Sequence, residues 1–280
     1  MMGKNSLLTE KQNGRAILFR GGALGDFILT IPLISYLVNR YDELILLSNT
    51  SYYSLIKDIY PKIIYRELDY GIDQIEKQIR NSDIFSFWSD TDWKLKVVNA
   101  GSRKNYILPT RPEYNNHIIE SIFSASHFPI LGSDSFSFPY LGDHWIKTST
   151  LWIHPGSGSS KKNMPLSFFL KIGRDWLIKK PENKVVFSFG EADESILSDF
   201  QSQNIKYSDR VSQINPKSVV EFKELLMKGT ACFWGNDSGP SHLAANLGIP
   251  TNVCFRITNS DEWKPTGPRV KVYEFPKDSI

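Results

Sequence analysis

The sequence is short of the features that would place it in several large classes. Only two cysteines occur in 280 residues, Cys232 and Cys254. Each lies inside an apolar run, which argues against a disulfide framework and for buried, reduced thiols in a cytoplasmic compartment. No run approaches the ~18 apolar residues of a membrane span, and the polar start lacks the apolar core of a signal peptide. Charge of one sign is scarce too: 33 Lys and Arg against 30 Asp and Glu leave a net +3, too little to argue for a nucleic-acid partner. With 41% hydrophobic residues and a mean hydropathy of −0.29, the chain reads as soluble and globular. Its length suits two domains, each with its own core.

What is present is an alternation of strands and helices. After a polar leader (1–14), strands are expected at Arg15 to Arg20, Glu43 to Ser48, Ile63 to Arg66, Asp83 to Trp88 and Asn105 to Leu108. Helices are expected between them at Phe27 to Val38, Tyr52 to Ile59, Ile72 to Arg80 and Leu95 to Asn99, and at Asn116 to Ser126 after the last; Pro32 either kinks the first or restarts it. The rhythm lapses over 128–149 into Pro, Gly, Ser and aromatics, which reads as a linker. It then resumes with strands at Leu151 to His154, Lys184 to Phe189, Thr251 to Phe255 and Val270 to Phe275, and helices at Leu166 to Lys179, after Gly190, and at Lys217 to Met227. Such alternation predicts parallel sheets covered on both faces. The division is therefore a first α/β domain over 15–127 and a second over 150–280. Two doubly wound halves would place a ligand in the cleft between them, at the carboxyl ends of the strands.

The most informative stretch runs from Phe233 to Pro250. It reads as a short strand ending at Trp234, a turn Gly235-Asn236-Asp237-Ser238-Gly239, and a helix opening at Pro240, where a missing N–H costs nothing. The N–H groups of Ser241, His242 and Leu243 would then form an anion site at the helix start. Asp237 beside a phosphate implies a ligand that also carries hydroxyls, such as a sugar. The plainer alternative is that Asp237 or Ser238 only caps the helix.

Other motifs weigh less on their own. Gly21-Gly22-Ala23-Leu24-Gly25-Asp26 follows the first strand but lacks the G-x-G-x-x-G spacing, and the second strand ends in Ser48-Asn49 where a ribose-binding acid is expected, so NAD is disfavoured. Asp26 is a helix cap or a general base. The loop His154-Pro155-Gly156-Ser157, continuing to Lys161-Lys162, could hold phosphate oxygens through Ser157 and backbone N–H groups, with a lysine as counter-charge; a solvated lysine pair is the simpler role. Asp90-Thr91-Asp92 matches the short D-x-D of metal-dependent sugar transferases, yet two Asp after a strand more often shape a turn, and no metal site is predicted. Neither Ser157 nor Ser238 sits in a G-x-S-x-G elbow. His242 suits a packed or phosphate-adjacent role better than a catalytic one.

Together these pieces resemble glycosyltransferase family 9, the heptosyltransferases of bacterial lipopolysaccharide assembly. The resemblance rests on Gly25-Asp26 with Pro32 downstream, on His154-Pro155-Gly156-Ser157 followed by Lys162 and Pro165, and on Gly190 through Glu194. It rests most specifically on Asn236-Asp237-Ser238-Gly239 with His242-Leu243-Ala244-Ala245 and Gly248-Ile249-Pro250-Thr251, and Trp263-Lys264-Pro265-Thr266-Gly267-Pro268 extends it. Two motifs depart from the family: Lys-Arg-Trp-Pro reads Lys162-Asn163-Met164-Pro165, and Phe-Gly-Pro-Thr reads Phe255-Arg256-Ile257-Thr258.

The resemblance implies the GT-B fold of two Rossmann-like domains and an inverting, metal-independent transfer of a sugar from a nucleotide diphosphate, with ADP-heptose as donor. It implies no cofactor beyond the donor itself. Asp26 would deprotonate the acceptor hydroxyl. Ser157 and Lys162 would hold the diphosphate, an acid within Glu191 to Glu194, taken as Glu191, the ribose, and Asp237, Ser238, Gly239 and His242 the donor's phosphates and sugar. The acceptor would be a lipopolysaccharide or other cell-surface glycan, and a lipid-linked one would bring the protein to the inner face of the membrane as a peripheral contact. Two alternatives stay open: a nucleotide-sugar epimerase of the same fold using His154 and Glu191, and a non-catalytic nucleotide-sugar binding protein.

Overall fold

A computed structural model describes residues 12–70, 75–113, 115–129, 132–203 and 209–275. The chain divides into two compact units. Of the described residues, one holds those up to Gly22, those within Thr30–Arg111 and 119–129; the other holds Ala23–Leu29, those within Pro112–Ile118 and those from 132 onward.

The first unit is built on β1 (Gln12–Arg20), β2 (Tyr41–Ser48), β3 (Ile64–Glu67), β4 (Asp83–Ser86) and β5 (Lys104–Ile107). They form one sheet in the order β3-β2-β1-β4-β5, with every pairing parallel. Ala16 to Phe19 and Leu44 to Leu47 are buried residue after residue, as central strands covered on both faces require. Helix α1 (Leu24–Arg40) runs unbroken through Pro32. Around it in sequence lie α2 (Thr50–Ile56), α3 (Glu76–Ile79), α4 (Thr91–Asn99) and α5 (Ile118–Ala125). At the amino end of β4 the fully buried Asp83 takes both arms of Arg103 at 2.7 and 2.8 Å and the Tyr41 hydroxyl at 2.7 Å. Burial first, and then the Asp83 carboxylate, raise the Tyr41 pKa, so Tyr41 is a donor at any ordinary pH.

The second unit holds β6 (Thr150–His154), β7 (Lys184–Ser188), β8 (Val211–Ile214), β9 (Cys232–Asn236), β10 (Thr251–Phe255) and β11 (Val270–Glu274). Their order is β11-β10-β9-β6-β7-β8, again all parallel. Its helices are α6 (Ser133–Phe136), α7 (Leu166–Lys179), α8 (Glu194–Ser202), α9 (Val219–Met227), α10 (Gly239–Asn246) and α11 (Ser260–Trp263). Leu151, Ile153, Phe169, Val185, Phe187, Phe189 and Phe200 form the core between sheet and helices. The strand order reverses at β6 and β9, which lie side by side with His154 opposite Gly235. That reversal is where doubly wound sheets open a ligand crevice.

Several expectations shift. The sheet takes in Gln12–Gly14, read in the sequence as leader: β1 begins at Gln12, a bulge lies between Gln12 and Arg15, and the Gly14 N–H reaches Asp42 Oδ2. Residues 1–11 of that leader, the start of the helix expected at Ile72, and positions 130–131 of the expected linker lie outside the described residues. Residues 132–149 of the linker include α6 and are tied into the second unit by Leu141 N–H to the Asn246 carbonyl and His144 N–H to the Leu247 carbonyl. Cys254 is fully buried and Cys232 half-buried, both free; burial pushes their thiols up to about 12 and about 11. Among the described residues no helix is long and apolar enough to cross a membrane.

Candidate functional site

Three segments of the second unit converge at the carboxyl ends of β6 and β9. The first is the loop after β6. Gly156 is glycine for room, since a Cβ there would land on the Asp193 carboxylate. Ser157, nearly buried, lies 2.6 Å from Asn163 Oδ1 and 2.7 Å from the Ser159 carbonyl; its single proton serves one of them at a time. The loop ends in a 3-10 turn, Ser160–Lys162.

The second segment is the turn after β9. Asn236, fully buried, clamps the first loop from both sides: its Nδ2 donates to the Pro155 carbonyl at 2.7 Å and its Oδ1 accepts the Met164 N–H at 3.0 Å. Asp237 is 5% exposed. Its Oδ2 receives Lys162 Nζ at 2.6 Å and the Thr258 hydroxyl at 2.7 Å, while His242 Nε2 stands 3.8 Å from Oδ1. Burial works to raise the Asp237 pKa; His242 and then Lys162 outweigh it, and the carboxyl is held at about 2. At 3.8 Å the His242 ring lies beyond the distance of a direct hydrogen bond. Its other nitrogen, Nδ1, is buried and has no hydrogen-bond partner among the described residues.

The helix start differs from the sequence expectation. Helix α10 begins at Gly239, with Ser238 as its N-cap and Pro240 in its first turn. The N–H groups of Ser241 and His242 both return to the Ser238 carbonyl, so they are not ligand donors. The orphan donors of this start fall earlier, at Ser238 and Gly239.

The third segment is Ala23–Leu29. A Cβ on Gly239 would stand 2.9 Å from Leu24 Cβ, and one on Gly25 would stand 3.3 Å from His242 Cδ2. Two glycines thus let the backbone before Asp26 lie directly on the start of α10. Asp26 accepts the Ala23 N–H at 3.0 Å, the capping role foreseen for it, and that bond fixes its carboxyl at the mouth of the segment.

The buried acid of the Gly190 turn is Asp193. Asp193 is buried, accepts the Gly190 N–H at 2.7 Å and pairs with His154 Nε2 at 3.2 Å. His154 Nδ1 meets the Ser188 hydroxyl at 3.1 Å, which in turn accepts the Trp152 indole N–H. His154 is therefore fully engaged in holding the Gly190 turn to β6. Glu191 is exposed in the 3-10 turn beside it. Asp90 of the D-x-D triplet caps α4, accepting the Trp93 N–H at 2.8 Å.

The structure thus brings Ser157, Lys162, Asp237, Ser238, Gly239 and His242 together, with Asp26 on the adjoining segment. Sequence reasoning missed Thr258 and Arg256, which come from the loop after β10. Arg256 Nη1 donates to the Asn163 carbonyl at 2.7 Å. The motif Phe255-Arg256-Ile257-Thr258 was visible only as a departure from the family, and it gave neither residue a role, because their partners lie 21 and 93 residues away.

Two parallel α/β sheets in these strand orders define a GT-B protein. The chain matches the E. coli heptosyltransferase WaaC solved with ADP at a TM-score of 0.67 and 10% identity, covering 95% of this chain and 94% of that one. It matches a family 9 glycosyl transferase from Veillonella parvula at 0.70 and 13%, over 93% and 87%. It matches E. coli ADP-heptose lps heptosyltransferase II at 0.66 and 14%, over 92% and 90%. No curated protein sequence matches. The model of glycosyltransferase family 9 (heptosyltransferase) matches residues 136–278, half of the chain. The chain belongs to glycosyltransferase family 9, and it is a glycosyltransferase.

Proposed function

We propose that this protein moves a sugar from a nucleotide-diphosphate donor to a cell-surface glycan in one inverting displacement, with ADP-heptose as donor and a lipopolysaccharide-type acceptor. The observation that carries this is the buried Asp237 carboxylate, held ionised between Lys162, Thr258 and His242 on the turn against which the Asp26 segment packs. A fixed carboxylate beside cations suits a ligand that presents hydroxyls and phosphates together. The structures of relatives named for ADP and ADP-heptose support that choice of donor.

In this mechanism Asp26 takes the proton of the acceptor hydroxyl as its oxygen attacks the anomeric carbon. The bond from that carbon to the diphosphate breaks, and the electron pair leaves on the nucleoside diphosphate. Side-chain cations and the helix start, rather than a metal, meet the developing charge. Asp237 orients the sugar by accepting its hydroxyls, and Asp193 fixes the Gly190 turn that faces the ribose. A lipid-linked acceptor would bring the protein to the membrane surface as a peripheral contact.

The test is the melting temperature of the purified protein with saturating ADP, UDP, GDP and CDP, followed by turnover of ADP-heptose with a lipopolysaccharide-core acceptor. A ligand that binds only the folded state raises the melting temperature. Selective stabilisation by ADP is the expected result, with turnover of ADP-heptose lost in Asp237→Ala. Stabilisation by another nucleoside diphosphate changes the donor; a response to none of them refutes the donor site.

A further inference from the structure

The Lys162 ammonium is already matched by Asp237 at 2.6 Å. The pair is close to neutral as a unit, so Lys162 brings little net charge to a departing diphosphate. The nearest lysine in sequence, Lys161, is exposed to solvent, where its field is weak.

Arg256 is the half-buried cation of this cluster that has no carboxylate partner among the described residues. Among the described residues its guanidinium has one acceptor, the Asn163 carbonyl at 2.7 Å, and its Nε is buried with none. A guanidinium offers five N–H donors in a rigid fork, so most of its capacity is unspent. Its placement is well fixed. Asn163, on which it docks, follows Lys162 directly, and Met164 is pinned by Asn236. Two residues beyond Arg256, Thr258 binds the same Asp237 oxygen as Lys162. The loop after β10 thus brings one uncompensated positive charge to the Lys162 and Asp237 cluster.

We infer that Arg256 is a donor-binding and specificity-determining residue, the cation that recognises the diphosphate of the nucleotide sugar and its nucleoside diphosphate product. The inference rests on the donor site proposed above. It assigns to Asp237 and Lys162 the sugar side of the ligand and to Arg256 the phosphate charge, and it confers preference for nucleotides over nucleosides.

The test measures binding of ADP and of adenosine, by calorimetry, to the full chain and to Arg256→Gln, Arg256→Lys and Lys162→Ala. If another base is preferred, that nucleoside and its diphosphate replace them. Arg256→Gln is expected to weaken ADP binding roughly tenfold or more, as loss of a charge-assisted bond does, with adenosine affinity unchanged; Arg256→Lys recovers part of it. Melting temperatures of the variants report folding separately. A role confined to bracing the Asn163 carbonyl would weaken ADP and adenosine alike, and that result overturns the inference. So does an unchanged ADP affinity in Arg256→Gln, while loss of ADP binding in Lys162→Ala, which leaves Asp237 as an unmatched negative charge, keeps the donor site itself. Failure of the parent protein to bind any nucleoside diphosphate removes both.

Discussion

Replacing Asp237 by Asn tests the electrostatic core of the site because it keeps the shape and removes the charge. The carboxyl is held at about 2, against an unfolded-state value near 3.9. Its folded pKa is depressed, so its contribution to stability is present above the unfolded pKa and is lost as pH falls through the folded one. The difference corresponds to about 2 kcal/mol above pH 5, with about half left at pH 3. Urea unfolding of the parent and of Asp237→Asn at pH 7, 5, 4 and 3 reads this directly. The parent should be more stable at pH 7 by about 2 kcal/mol, and the gap should close as pH drops, most of the change falling below pH 4. A gap that is the same at every pH would refute the assignment, for it would mean that the substitution acts through packing and not through ionised Asp237.

Gly156→Ala drives a methyl group into Asp193 and should cost about 1–3 kcal/mol by overpacking; nucleotide affinity, read by the thermal shift with ADP, should fall with it. Asp26→Asn should lower turnover at least about a hundredfold, the usual share of a general base, while ADP binding by calorimetry stays at the parent level. Arg103→Met strands the fully buried Asp83. Because Arg103 itself is about a third exposed, the expected loss is about 2–3 kcal/mol rather than the larger figure for a wholly buried pair, measured by urea unfolding at pH 7.

Legibility followed the range of the interactions. Helix α7 and strand β10 coincide with their sequence expectations, because unbroken apolar patterns between Pro, Gly and polar residues set their ends. Strand β8 (Val211–Ile214) was not expected: an edge strand is solvated on its outer side, and its half-exposed residues carry no apolar run. Asp90 was legible as a turn former since its partner, Trp93, is three residues away. The Gly190 acid was legible only as a range. Nothing local says that Asp193, and not Glu191, is the one buried; what decides it is His154, 39 residues back, and the space left by Gly156. The free N–H groups expected at Ser241 and His242 failed for a different reason. Gly239, not Pro240, opens the helix, so the Ser238 carbonyl was already in range of both.

The two departures from the family pattern become one feature in space. Asn163 stands where the family has Arg and Arg256 stands where it has Gly, 93 residues apart in sequence, and the Arg256 guanidinium is bonded to the Asn163 carbonyl. Asn163 also receives the Ser157 hydroxyl through its side-chain oxygen, which an arginine, having no acceptor, could not do. Asn at 163 therefore tightens the loop after β6, and Arg256 restores from the opposite side a guanidinium that this loop lacks. Asn163→Arg should then remove the acceptor of the Ser157 hydroxyl, add a second guanidinium to the loop that Arg256 holds and lower the melting temperature, whereas Asn163→Arg combined with Arg256→Gly should recover part of the loss. Losses in Asn163→Arg and in Arg256→Gly that add in the double variant would show that the positions are independent and that their pairing has no energetic content.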